Sequence, residues 1–101
     1  MFVHMDITEI RKELEEKVQK IDPIGKKLKF NLDGEIVLID GYNNPNIVTD
    51  NDEEADCTIT MSKETYFKLQ RREIKPMIAT LTGKIKVKGD IGVAQKLKQL
   101  M

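Results

Sequence analysis

The chain has one histidine, His4, and one cysteine, Cys57. A Cys/His nucleophilic pair would need these two side chains to meet, because a thiol needs an adjacent base to attack. His4 falls in the first five residues, which are expected to fray. Cys57 alternates with Ile59 and Met61, the pattern of a buried structural thiol. One His and one Cys cannot supply the N and S ligands of a structural zinc site. Asp50, Asp52, Glu53, Glu54 and Asp56 crowd one stretch, but without the ligand spacing and turn glycine of an EF-hand loop. That stretch reads as a solvated acidic loop. The expectation is a protein with no catalytic residues, no metal and no cofactor.

Two binding chemistries remain. Gly89-Asp90-Ile91-Gly92 matches the G-x-x-G of a KH domain and lies among lysines. Such a loop joins two helices, whereas this one joins a strand to a helix, and Asp90 puts a carboxylate where a phosphate would sit. With no aromatic pair on a strand for base stacking, nucleic acid is not the expected partner. The other chemistry is apolar. Met77, Ile78 and Leu81, then Ile85 and Val87, then Val93, Leu97 and Leu100 are short apolar elements able to line a pocket. Met61, Met77 and Met101 add adaptable surface. Composition alone reads the same residues as ordinary core.

The elements that would position these residues follow from periodicity. Ile7, Ile10, Leu14, Val18 and Ile21 recur every three or four residues, one face of an amphipathic helix. Asp6 with Glu9 opens it and Asp22-Pro23 is expected to close it. The period then becomes two. Leu28, Phe30 and Leu32 mark a strand, Asp33-Gly34 a type I′ hairpin turn, and Glu35–Asp40 a strand apolar on both faces and therefore expected at the centre of a sheet. Ile47-Val48 reads as a short strand, and Cys57–Met61 as a threonine-rich one. Ser62 looks like a helix N-cap, with Met61 and Tyr66 placed for a hydrophobic staple. Pro76 starts another short helix that Gly83 ends. Lys84–Lys88 alternates lysine with apolar residues, which guards an edge strand, and Gly89-Asp90 turns into a last helix carrying Ile91, Val93, Ala94, Leu97, Leu100 and Met101. Helices on one side of a mainly antiparallel sheet make this an α+β domain.

Composition agrees with that reading. A chain of 101 residues with 40% hydrophobic residues suits one domain with a single core. Its longest apolar run, Ile36–Ile39, is far short of a membrane span. No secretory leader is expected from the N-terminus, and the single cysteine suits a reducing cytoplasm. Seventeen basic residues balance seventeen acidic ones, but unevenly. Residues 31–62 hold eight acidic side chains and no Lys or Arg, whereas 63–101 hold ten basic and three acidic ones. Either the folded body carries a charge dipole, or the two stretches interleave in space.

The segment Ala79-Thr80-Leu81-Thr82-Gly83-Lys84-Ile85-Lys86-Val87-Lys88-Gly89-Asp90, followed by Val93, Ala94 and Leu97, resembles the hallmark of the sterol carrier protein 2 (SCP2) family. That hallmark runs Ala-Phe-Met-Thr-Gly-Lys-Leu-Lys-Ile-Lys-Gly-Asp. Ala55–Ser62 is similar to the family's threonine-rich strand leading into a helix, and the hairpin and opening helix fall in the same order. The resemblance covers nearly the whole chain. It departs at Thr80, where phenylalanine is common, and at Lys75-Pro76, in place of a common Asp-Pro. The C-terminal Gln-Leu-Met is not a Ser-Lys-Leu signal, so peroxisomal targeting is not expected.

The resemblance implies a five-stranded, mainly antiparallel (mixed) sheet with helices on one face, enclosing an apolar tunnel. It also implies a non-catalytic carrier of sterols, fatty acids, fatty acyl-CoAs or phospholipids. The expected lining is Met77, Ile78, Leu81, Ile85, Val87, Val93 and Leu97, together with Phe30, Ile59, Phe67 and Leu100. An empty tunnel of ~300 Å³ would cost roughly 7 kcal/mol, so it is expected to be lipid-filled, partly collapsed or open to water. Lys84, Lys86, Lys88, Lys96 and Lys98 are expected to steer the domain to anionic membrane lipid. The alternative is a scaffold domain that holds a protein partner in its groove or along a sheet edge.

Overall fold

The computed structural model describes residues 6–43 and 45–95. Helix α1 (Ile7–Val18) begins where the Asp6 carboxylate accepts the Glu9 N–H at 3.0 Å. Its apolar stripe is buried at Ile10, Leu14 and Val18, with Ile7 and Ile21 half-buried against the same core. The helix stops at Val18, before the expected Asp22-Pro23. The buried Asn46 side chain is the reason. Its amide donates to the Val18 carbonyl at 2.8 Å and to the Asp22 carbonyl at 3.3 Å, and its oxygen accepts the Ile24 N–H at 2.9 Å. A distant residue thus satisfies carbonyls that end the helix.

The sheet comprises β1 (Lys27–Leu32), β2 (Glu35–Asp40), β3 (Ile47–Thr49), β4 (Cys57–Met61) and β5 (Lys86–Gly89). Their order is β3-β2-β1-β4-β5. β1 and β4 run parallel and the other pairs antiparallel, which gives the mixed sheet of an α+β fold. Asp33 and Gly34 both take positive φ, 56° and 89°, as a type I′ turn requires. The central strand is β1 and not β2, because β4 returns to the far side of β1 while β3 pairs with the outer side of β2. β5 begins two residues later than the lysine alternation, since the Lys84 and Ile85 N–H groups are taken by the Ala79 carbonyl at 2.8 and 3.2 Å.

A parallel pair needs a crossover, and the acidic stretch 50–56 supplies it as a strap over the outer face. Lys29 Nζ reaches Asp52 at 2.9 Å and the Glu53 carbonyl at 2.9 Å, and Lys27 pairs with Glu53. Under this strap Leu38, which pairs with Lys29 across the strands, is only 2% exposed. That accounts for β2 being apolar on both faces. Against the inner face pack α1, α2 (Lys63–Gln70), α3 (Pro76–Leu81) and α4 (Ile91–Ala94). Ser62 caps α2 by accepting the Thr65 N–H at 3.0 Å, and its flanking residues Met61 and Tyr66 are both buried.

Candidate functional site

Helix α3 is the least embedded of the inner-face helices. Of its residues only Ala79 is buried, while Met77, Ile78 and Leu81 are 68%, 48% and 77% exposed. Pro76 occupies its first turn, where a missing N–H costs nothing. Gly83 (φ 78°) ends it in a Schellman turn, with Lys84 N–H donating to Ala79 and Gly83 N–H to Thr80. Helix α2 ends in the same turn: Glu73 N–H donates to Lys68 and Arg72 N–H to Leu69. There the left-handed position is held by Arg72 (φ 59°) instead of glycine.

Two hollows, both open to solvent, flank α3. The first, of about 640 Å³, is lined by Leu69, Arg72, Ile74, Lys75, Pro76, Met77 and Ile78. The second, of about 390 Å³, is lined by Pro76, Met77, Thr80, Leu81, Val87, Ile91, Ala94 and Gln95. They share Pro76 and Met77. Both volumes fall in the range of small-molecule sites, ~300–1,000 Å³, and both walls are mainly apolar.

The expected lining residues divide into groups. Met77, Ile78, Leu81 and Val87 line these hollows. Phe30, Ile59, Ile85 and Val93 are instead buried in the core and line neither hollow, and Phe67 is half-buried against that core. Leu97, Leu100, Lys96 and Lys98 lie outside the described residues. Among the described residues the apolar space takes the form of open hollows. Sequence reading missed Leu69, Arg72, Ile74 and Lys75. The link between α2 and α3 has no periodicity, and only the helix stop at Arg72 brings it to the first hollow.

The hallmark Gly89-Asp90 has a structural role. A Cβ on Gly89 (φ 106°) would lie 2.3 Å from the Asp56 carbonyl oxygen, and that oxygen accepts the Asp90 N–H at 2.8 Å. The Asp90 carboxylate caps α4 through the Gly92 and Val93 N–H groups and pairs with Lys26 at 2.5 Å. The hydrogen bond from Lys26 foremost, with those two N–H groups, holds the Asp90 carboxyl below the usual carboxylate range. The Lys27 N–H and the Tyr42 hydroxyl do the same for Asp56. These groups tie strap, sheet and α4 together. Burial, with the nearby Asp90 charge, pushes the Cys57 thiol up and so disfavours its thiolate.

Charge is both interleaved and polarised. The acidic strap is matched by Lys27 and Lys29 from the first third of the chain. Lys84, Lys86 and Lys88 are exposed and have no carboxylate partner among the described residues. Register puts Lys86 and Lys88 beside Thr60 and Thr58 on the outer face, while Val87 between them lines the second hollow. Because β5 is an edge strand, both faces meet at one rim of the molecule.

Comparison with known proteins agrees with this geometry. Residues 7–101 match the model of the SCP-2 sterol transfer family. Sterol carrier protein 2 of Rattus norvegicus is 36% identical over 100 residues, covering 91% of this chain and 18% of that protein. The chain therefore spans about a fifth of the length of such relatives. The solution structure of sterol carrier protein domain 2 of Helicoverpa armigera superposes with a TM-score of 0.76 at 28% identity, covering 93% of this chain and 84% of that one. Palmitated SCP2L2 from Aedes aegypti superposes at 0.71 with 22% identity, covering 92% and 91%. With a family model matched over residues 7–101 and a relative 36% identical over 91% of the chain, the chain belongs to the SCP-2 sterol transfer family.

Proposed function

We propose that the chain is a non-catalytic carrier whose hollows beside α3 take the apolar part of a lipid. The observation that carries this reading is the exposure of Met77, Ile78 and Leu81 on a short helix flanked by spaces of about 640 and 390 Å³. Exposed apolar side chains clustered around a concavity mark a binding surface. Family membership supports it, as does the palmitate named for the Aedes aegypti relative. In this reading the buried Phe30, Ile59, Ile85 and Val93 become contacts only where a tail enters the core, and Leu97 and Leu100 belong to the same lining. Fatty acid, fatty acyl-CoA, phospholipid and sterol-like molecules all offer the required apolar body. No cofactor enters the reading, and the cytoplasm is the proposed compartment.

Lys84, Lys86 and Lys88, with Lys96 and Lys98, would draw the β5 rim toward anionic lipid. The test of cargo is mass spectrometry of molecules that co-purify with the native chain. It is combined with titration of the delipidated protein by a fluorescent fatty acid. A ligand that binds only the folded state raises the melting temperature as its free concentration rises above Kd. Absence of co-purified lipid, of titration and of any thermal shift would reject the carrier and leave the α3 surface to a protein partner.

A further inference from the structure

The first hollow differs from the second in one respect. Among the described residues its wall carries two cations, Arg72 and Lys75, and no acidic side chain, whereas those lining the second carry no charge. Both cations are exposed, and neither has a carboxylate within salt-bridge distance among the described residues. Their neighbours are otherwise engaged, since Arg71 pairs with Glu73 and Lys68 with Glu64 at 3.3 Å.

Arg72 also stands in a position that ordinarily falls to glycine. Two Schellman turns among the described residues differ at this position: α3 ends on Gly83 and α2 on Arg72, with the same pair of hydrogen bonds and φ of 78° and 59°. A left-handed backbone disfavours any residue with a Cβ, so the turn itself gives no reason for an arginine. The side chain at the edge of the hollow supplies one.

We propose that Arg72 and Lys75 form a cationic rim that selects chains bearing an anionic head, a carboxylate or phosphate, over neutral amphiphiles with the same tail. The head sits between the guanidinium and the ammonium. The tail follows Ile74, Met77 and Ile78 along α3 toward the second hollow. An arginine presents paired donors suited to a carboxylate or phosphate, and a lysine adds a point charge. This specificity rests on the carrier reading above and deepens it.

The test uses the full chain, delipidated, with two fluorescent probes: a pyrene-labelled fatty acid and the alcohol of the same labelled chain. Their affinities are compared between the native sequence and the double variant Arg72→Asn/Lys75→Gln. Asparagine tolerates the left-handed conformation, so the substitution removes charge without adding strain. The fatty acid is expected to bind the variant roughly tenfold more weakly at low ionic strength, and to lose its salt dependence. The alcohol is expected to bind both proteins equally, which also reports that the variant is folded. Equal weakening of both probes, or no change for the acid, overturns the rim while leaving the hollows a lipid site. If neither probe binds the native chain, the carrier reading falls and the rim with it.

Discussion

At the residue scale, two glycines with positive φ make different demands. A Cβ added at Gly34 (φ 89°) would meet nothing within 4 Å, whereas one at Gly89 (φ 106°) would lie 2.3 Å from the Asp56 carbonyl oxygen. Gly34→Ala should cost about 1 kcal/mol of conformational strain. Gly89→Ala should cost more than about 2 kcal/mol, since the strand–strap contact must also open. Urea unfolding of the two variants separates these effects. Asp56 and Asp90 make a second prediction. Each carboxyl is held below its unfolded value, Asp56 by the Lys27 N–H first and Asp90 by Lys26 first. Their contribution is therefore fully present above the ordinary carboxylate range and is lost as pH falls through their lowered values. Stability should decline below about pH 4. Asp90→Asn should flatten that decline, seen as a smaller change in urea midpoint across an acid pH series.

At the element scale, the helices are joined by polar side chains as well as by the core. Tyr66 of α2 is fully buried, and its hydroxyl donates to Glu13 of α1 at 3.0 Å. Burial, with the Glu13 charge, pushes the phenol well above its ordinary range, so it stays a donor at any working pH. Lys17 completes the tie by contacting Glu13 at 3.2 Å and Gln70. Tyr66→Phe keeps the ring and removes the bond. It should cost about 1–2 kcal/mol in urea denaturation, with the sheet unaffected by circular dichroism. Asn46 plays a comparable part where α1 ends. Periodicity located α1, α2 and α3 closely, because an amphipathic stripe and a cap are local properties. The true end of α1 and the start of β5 were not legible, because each is set by a hydrogen bond to a residue outside the element.

At the scale of the whole molecule, core and site can be separated although both are apolar. Phe30 is fully buried and Leu81 is 77% exposed. Phe30→Ala should cost about 3–5 kcal/mol. Leu81→Ser should change stability by less than about 1 kcal/mol yet weaken lipid binding roughly tenfold, the loss of one buried aliphatic contact with ligand. Paired thermal melts and fluorescent-lipid titrations check both. The charge distribution makes a further prediction. Reversing Lys84, Lys86 and Lys88 to Glu should slow lipid transfer from anionic vesicles far more than from neutral ones, at ~1 kcal/mol per lysine near the surface. Added salt should shrink the difference. Equal slowing with both vesicle types would leave these lysines as guards of the sheet edge.

The sequence alone determined the element types, the hairpin turn, the helix caps and the family, because each is written in near neighbours or in one contiguous hallmark. Through the resemblance it also offered a lipid lining in which Met77, Ile78, Leu81 and Val87 stood beside Ile85 and Val93 without distinction. It could not tell Ile85 and Val93, which are buried, from Met77 and Leu81, which face solvent. All four are apolar, and exposure depends on what packs above them. Tertiary structure decided that β1 is central, that the acidic stretch is a strap neutralised by Lys27 and Lys29, and that Arg72 and Lys75 edge an apolar hollow. These are relations between residues far apart in the chain. They are fixed by the parallel return of β4 and by helix stops, and no local periodicity records them.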